Sequence, residues 1–480
     1  MNKRFNKGIY LALALAALAV TGCKLPADAV QRTENKSVPG EYVKGTAQDT
    51  INTGKVKWKE FFKDQNLVAL INTALTNNQE LNITLQEIQI SKNEIKAHKG
   101  EYLPFVGLRG GAGFEKVGEY TRNGATEKNL EIVRGKENPE PLPDYMIGAY
   151  ANWELDIWGK LRNAKKAAVN RYLSSVEGKN FMVTNLVAEI ANSYYELLAL
   201  DNQMELVKKN IELQTNALEI VKIQKESARV NELAVRRFQA QVLNTQSLQY
   251  DIQQKIVETE NRINFLVGRF PQHVDRSSSN FTDLVPSQIN SGIPSQLLEN
   301  RPDIRQAEQD LAAAKLDIKV AKARFYPQVG ISAGIGYQAF DPTYLIKPQS
   351  LLYSLAGDLA APLINRNAIK AAYYTSNSKQ VQAVYNYERT ILNAYIEVAN
   401  QVAKIDNSKK AFDLKSQQVD ALNQSIDISN DLFMSARADY MEVLMTQRDA
   451  LESKFDLIET KLQQLNATVN IYRSLGGGWE

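Results

Sequence analysis

Few residues in this 480-residue chain could do covalent or coordination chemistry. There is one cysteine, Cys23, and there are two histidines, His98 and His273, far apart in sequence. A single thiol allows no internal disulfide, and two distant imidazoles make no metal-ligand pattern. No G-x-S-x-G, Walker A or H-E-x-x-H motif occurs. GLRGGAGF (107–114) is rich in glycine but opens no helix, so it is no phosphate loop. Met434, Met441 and Met445 could pass a soft metal ion, although methionine at helical spacing is more often packing. No enzyme, metal or cofactor is expected.

The chemistry open to Cys23 is acylation. The first residues read MNKRFNKGIYLALALAALAVTGC, in which Lys3, Arg4 and Lys7 precede an uncharged run from Ile9 to Val20. This is the form of a secretory signal peptide, 1–22, and the run falls short of the roughly 20 residues that span a bilayer as a helix. VTGC resembles a bacterial lipobox, which predicts cleavage before Cys23 and a lipid on its thiol. An ordinary signal peptide with an incidental cysteine is the plainer alternative. Lys24 stands where an aspartate would signal inner-membrane retention, which favours the outer membrane. The formal charge of +3 sits in the leader; the rest carries 54 basic and 54 acidic residues. No basic run suggests a nucleic-acid partner.

The elements that would position anything functional come in two sets. Residues 23–57 are polar and read as a lipidated tether. Order is expected from WKEFFKDQNLVALINTAL (58–75), where Leu67, Leu70, Ile71 and Ala74 mark one helix face. YLPFVGLRGGAGF (102–114) and FYPQVGISAGIGY (325–337) align at an offset of 223, and both alternate apolar with small or polar residues. That period of two predicts strands with unlike faces. Returning strands are expected in IGAYANWELDIW (147–158) and YSLAGDLAAPL (353–363), giving hairpins 102–158 and 325–363. The loop at 118–144 reads as solvated.

Long helices follow each hairpin, over 159–269 and 364–476. Val183, Val187, Ile190, Tyr194 and Leu197 keep heptad-like spacing, resumed by Met204, Val207, Ile211, Leu218 and Val221. Breaks are expected at 226–231 and 435–440. The chain therefore reads as two repeats, 58–269 and 293–480, joined by a polar connector, 270–292. The fold class is mainly α with a small β part.

The strands pose a choice between protein core and lipid. Arg109, Glu154, Asp156 and Asp358 fall on the non-apolar face with glycine and serine. Tyr102, Phe105, Trp153, Trp158, Phe325, Tyr326 and Tyr337 crowd the strand ends, in the manner of an interfacial girdle around a polar lumen. A half-buried soluble sheet packed on a helix gives the same alternation. Export and the lipobox tilt the reading to lipid. Four strands cannot close a membrane barrel, and open edges in lipid cost several kcal/mol for each unsatisfied group. Several chains must then pool their strands.

At this point the motifs resemble a family, the TolC/OprM-like outer membrane factors (NodT-type efflux lipoproteins). WKEFFKDQNLVALINTAL, WELDIWGKLR (153–162), IPSQLLENRPDIRQAEQDLAAA (293–314), ADYMEVLMTQRDAL (438–451) and LGGGW (475–479) occur in the family's order. The resemblance implies a homotrimer with a 12-stranded outer-membrane β-barrel, a periplasmic α-barrel of long antiparallel helices, and an equatorial connector. It implies a passive duct carrying small molecules from a periplasmic adaptor and an inner-membrane transporter, RND type favoured over ABC. It places the adaptor-contact tips at Ala228, Arg229, Ala436 and Arg437, with alanine where the family usually has glycine. It makes Asp427, Asp431 and, more weakly, Asp439 candidate gate residues, against the alternative of solvated acids on a polar helix. Arg109, Glu154, Asp156 and Asp358 would face the lumen, the acids favouring cations. The alternatives are a type I secretion exit duct, or a periplasmic coiled-coil structural lipoprotein without a pore.

Overall fold

The computed structural model describes residues 32–42, 51–277, 281–286, 289–364, 366–435 and 437–479. Cys23, with the leader, and Ala436 lie outside the described residues. The α-helices are α1 (Trp58–Phe61), α2 (Gln65–Asn77), α3 (Gln79–Glu101), α4 (Arg122–Asn129), α5 (Lys160–Glu226), α6 (Glu232–Leu266), α7 (Leu297–Asn300), α8 (Pro302–Ala323), α9 (Asn367–Met434) and α10 (Tyr440–Ser474). The strands are β1 (Phe105–Glu115), β2 (Glu131–Val133), β3 (Lys136–Glu137), β4 (Leu142–Leu155), β5 (Gln328–Ala339) and β6 (Leu351–Ala360). The chain divides into two compact units, with boundaries inside α3, α5, α8 and α9.

The first unit holds Gln89–Leu173 and Gln309–Tyr385. Its centre is an antiparallel sheet in the order β1-β4-β5-β6, so the two expected hairpins lie side by side and β4 pairs with β5. The register puts Leu108 opposite Ala149, Ala149 opposite Ile335, and Ile335 opposite Tyr353. One face is therefore apolar from edge to edge, because cross-strand partners share a face. β4 begins five residues before the expected Ile147 and ends at Leu155, leaving Ile157 and Trp158 in the turn to α5. The solvated loop contains more order than its composition suggested: α4 and the small hairpin of β2 with β3.

The strand ends are tied to the turns by aromatics. Trp153 Nε1 donates to the Tyr102 carbonyl at 3.1 Å and Trp158 Nε1 to the Pro327 carbonyl at 2.7 Å, while Trp158 stacks on Tyr326. Phe325 is an exception: it is buried in a cluster with Ile318 and Ala321 of α8 and Tyr373 of α9.

The second unit holds Glu34–Ile88, Ser174–Glu308 and Asn386–Glu480. The expected helix face of Leu67, Leu70, Ile71 and Ala74 is buried, and Asp64 caps that helix by accepting from the Asn66 and Leu67 N–H groups. The same core takes Val183, Val187, Ile190, Tyr194 and Leu197, all buried, so the heptad-like spacing marks one packed seam. Phe61 stacks on Tyr472 with ring centroids 4.0 Å apart. No proline interrupts 144–270, and α5 runs unbroken from Lys160 to Glu226.

Within the connector, Arg276 is held by Asp201 and Glu260, Phe281 is buried, and Lys461 Nζ donates to the Leu284 carbonyl at 2.9 Å. The expected tether is not all loose. Tyr42 stacks on Tyr395, the Tyr395 hydroxyl donates to the Glu41 carbonyl, and the Asn35 N–H donates to Glu388. Among the described residues, no helix is long and apolar enough to cross a membrane.

Candidate functional site

The sheet carries the first candidate surface. Its apolar face is open to the surroundings: Leu108 is 87% exposed, Tyr353 82% and Leu355 79%. The opposite face is built of glycine. An added Cβ at Gly336 would lie 2.6 Å from the Ile147 carbonyl oxygen and 2.8 Å from Gly148 Cα. At Gly148 it would lie 2.8 Å from the Ile335 carbonyl oxygen. These glycines are partners across β4 and β5, so the two backbones close up on this face.

Arg109, Glu154 and Asp358 share the glycine-rich face, as their register shows: Arg109 opposite Gly148, Glu154 opposite Gly330, and Gly330 opposite Asp358. Gly330 also makes room for the Asp358 carboxylate, which an added Cβ would meet at 2.6 Å. Arg109 and Asp358 are exposed. Glu154 is paired with Lys160 at 2.5 Å.

Asp156 is placed differently from the sequence expectation. It lies past the end of β4, its side chain is nearly fully buried, and it accepts from the Leu161 and Arg162 N–H groups at 2.9 Å each. A carboxylate on these N–H groups satisfies orphan donors and complements the positive end of the α5 dipole. The Asp156 carboxylate is thus committed to a helix terminus.

The second candidate surface is the pair of helix turns in the other unit. Both fall inside the expected breaks: α5 stops at Glu226 and α6 starts at Glu232, while α9 stops at Met434 and α10 starts at Tyr440. Ala228 has φ of +58°, the one left-handed residue other than glycine among the described residues. Its N–H donates to the Lys225 carbonyl and the Arg229 N–H to the Gln224 carbonyl, the paired bonds of a Schellman turn. The Arg437 N–H likewise returns five residues, to the Leu432 carbonyl at 2.8 Å.

Asn231 then caps α6, and Glu232 bridges Lys225 and Arg236. The hydrogen bond from Lys225, chiefly, holds the Glu232 carboxyl below its ordinary range. The bridge therefore persists at neutral pH and is released only when acid protonates Glu232. Arg229 and Arg437 are exposed, and a cavity of about 620 Å³ between the turns is lined by Ala228, Arg229, Phe433, Met434, Asp439 and Tyr440, among others.

The left-handed conformation costs an L-residue roughly 1–2 kcal/mol. Ala228→Gly is accordingly expected to stabilise the turn by about 1 kcal/mol, after glycine's extra unfolded-state entropy is discounted. Slower amide hydrogen exchange over 224–231 is the readout.

Asp427 and Asp431 lie one turn apart on α9, both exposed, and neither carboxylate has a partner among the described residues. Asp439 stands at the N-cap of α10 without a side-chain capping bond. The expected methionines line separate surfaces: Met434 the turn cavity, and Met441 and Met445 a small groove with Arg237 and Arg448.

An open apolar sheet, a glycine-lined reverse face and paired long helical hairpins define a membrane-associated, channel-type fold. The chain belongs to the outer membrane efflux protein family, whose model matches residues 70–269 and 293–477. It is an outer membrane efflux channel. It is similar to the solvent efflux pump outer membrane protein SrpC of Pseudomonas putida, 26% identical over 439 residues that cover 90% of this chain and 89% of the relative. The cation efflux system protein CusC of Escherichia coli K12 is 24% identical over 466 residues, 96% of this chain and 98% of that one. Among solved structures, the open state of the Neisseria gonorrhoeae MtrE outer membrane channel superposes with a TM-score of 0.82 at 20% identity, covering 95% of this chain and 98% of that chain.

Proposed function

We propose that three copies of the chain pool their sheets into one 12-stranded outer-membrane barrel, and that the protein acts as a passive exit duct. The observation that carries this reading is the sheet: four strands, β1 and β6 each paired on one side only, with one apolar face that is exposed at Leu108, Ile147, Ile335, Tyr353 and Leu355 and half-buried between them on β4 and β5. Edges of this kind are costly in lipid unless neighbouring copies pair with them. Apolar side chains then face lipid, and the glycine-rich face with Arg109, Glu154 and Asp358 faces the lumen. The matched order and lengths of elements support an internal repeat: α5 and α9 have 67 and 68 residues, and α6 and α10 have 35 each.

A lipid on Cys23 adds an anchor to this assembly. The turns carrying Ala228, Arg229 and Arg437, with Ala436, would meet a periplasmic adaptor, and the energy would come from an inner-membrane transporter. We favour the RND type, because SrpC and CusC are named for efflux of solvents and cations rather than for secretion of proteins. Asp427 and Asp431 are the gate candidates: carboxylates without a partner among the described residues are available to partners across the trimer axis.

The test is direct. The purified protein should run as a trimer and conduct ions across planar bilayers; a monomer without conductance overturns the duct. The Asp427→Ala, Asp431→Ala double variant should conduct more than the parent, and an unchanged conductance removes both residues from the gate.

A further inference from the structure

Where strands give way to helices, the first unit holds an open cavity of about 1,100 Å³. Glu154, Gln328 and Ala360 line it, and all three lie on the glycine-rich face of the sheet. It is rich in charge, yet each of its carboxylates is engaged. Glu101 meets the His98 ring at 2.9 Å, Glu154 meets Lys160 at 2.5 Å, and Asp317 is paired with Arg171. Arg324 is different. It lines the same cavity, is exposed, and has no carboxylate partner among the described residues. Of the acids expected to favour cations, Asp156 is held by the α5 terminus and Glu154 by Lys160. Asp358 stays open, two residues before the cavity-lining Ala360 on the same face of β6.

We propose that Arg324 and Asp358 determine the ionic selectivity of the duct at the junction of strands and helices, Arg324 drawing anionic solutes in and Asp358 opposing it. This rests on the glycine-rich face being the lumen. The Glu154–Lys160 and Asp317–Arg171 pairs contribute little, because opposite charges in contact cancel beyond their own separation. An open charge acts over about a Debye length, roughly 10 Å at 0.1 M salt.

The experiment is single-channel recording of the full-length protein in planar bilayers under a potassium chloride gradient near 0.1 M, with the chloride-to-potassium permeability ratio as readout. Arg324→Gln should lower the ratio about twofold and Arg324→Glu about fourfold, while Asp358→Asn should raise it about twofold. A role confined to steadying the end of α8 would change assembly yield but not the ratio of the channels that form. Arg324 variants that conduct with an unchanged ratio overturn the proposal. If those variants do not assemble, Asp358→Asn decides it: an unchanged ratio there overturns it as well. A parent protein that does not conduct at all instead overturns the duct reading on which the proposal stands.

Discussion

Gly336→Val is expected to abolish channel formation while leaving the helical core around Tyr194 and Tyr472 folded. An added Cβ at Gly336 meets backbone, the Ile147 carbonyl oxygen at 2.6 Å and Gly148 Cα at 2.8 Å, and backbone in a paired strand has nowhere to go. Overpacking a well-packed site usually costs about 1–3 kcal/mol through side-chain adjustment. Here that adjustment is closed off, so the β4–β5 pairing must open. This pairing is the one that joins the two hairpins into a single sheet. Without it each chain offers two separate two-stranded ribbons, which are marginal alone. The expected readout is loss of bilayer conductance with little change in far-ultraviolet helical signal. Gly111→Val is the control: Gly111 lies on the same face, and an added Cβ there meets nothing within 4 Å, so conductance should persist.

What the sequence made legible, and what it hid, follows from the range of the interactions involved. Leu67, Leu70, Ile71 and Ala74 could be assigned to one buried face because a helix writes its burial into spacings of three and four. The turn at Ala228 could be placed because the heptad-like spacing ends just ahead of it, at Val221, and the turn at Arg437 because the second half of the chain repeats the first. The glycine face was visible as alternation, although β4 begins earlier than its alternation does, at Leu142. Asp156 was read as a lumen acid because the period of two appeared to continue past Leu155. The local signal for its real role was present: an acid just ahead of Gly159, which has φ of +71°, and of the first turn of α5.

Longer-range arrangements left no local trace. Residues 23–57 read as a polar tether, yet within them Tyr42 finds its stacking partner in Tyr395, far along the chain on α9. Arg324 drew no notice as one of 57 basic residues; what singles it out is that the other charges of its cavity are paired, which depends on α3, α5 and α8 meeting there. The motif ENRPDIRQAE was recognisable, but its reason was not, because the groups that Arg301 holds come from three places in the chain.

Arg301→Met should lower the stability of the helical unit by about 3 kcal/mol. The Arg301 side chain is only 4% exposed and makes four bonds. It forks onto Asp303 at 2.9 and 2.7 Å, reaches Glu397 on α9 at 2.8 Å, and donates to the Ser474 carbonyl at the end of α10 at 2.9 Å. Methionine matches much of its length but leaves Asp303 and the Ser474 carbonyl without their donors. Removing one partner of a buried ion pair costs about 3–5 kcal/mol, and the lower end applies because Glu397 is 43% exposed and can be rehydrated. The bond to Ser474 ties the last turn of α10 to the α7–α8 junction, where Gly476 also packs so closely that an added Cβ would lie 2.5 Å from the Asn300 carbonyl oxygen. The loss should therefore appear first as faster amide exchange over 471–477, together with a lower thermal midpoint in detergent. Arg301→Lys keeps the charge but not the planar fork and is expected to fall between the two. If Arg301→Met unfolds at the parental midpoint and exchanges at the parental rate, the buried guanidinium is not what fastens the end of α10.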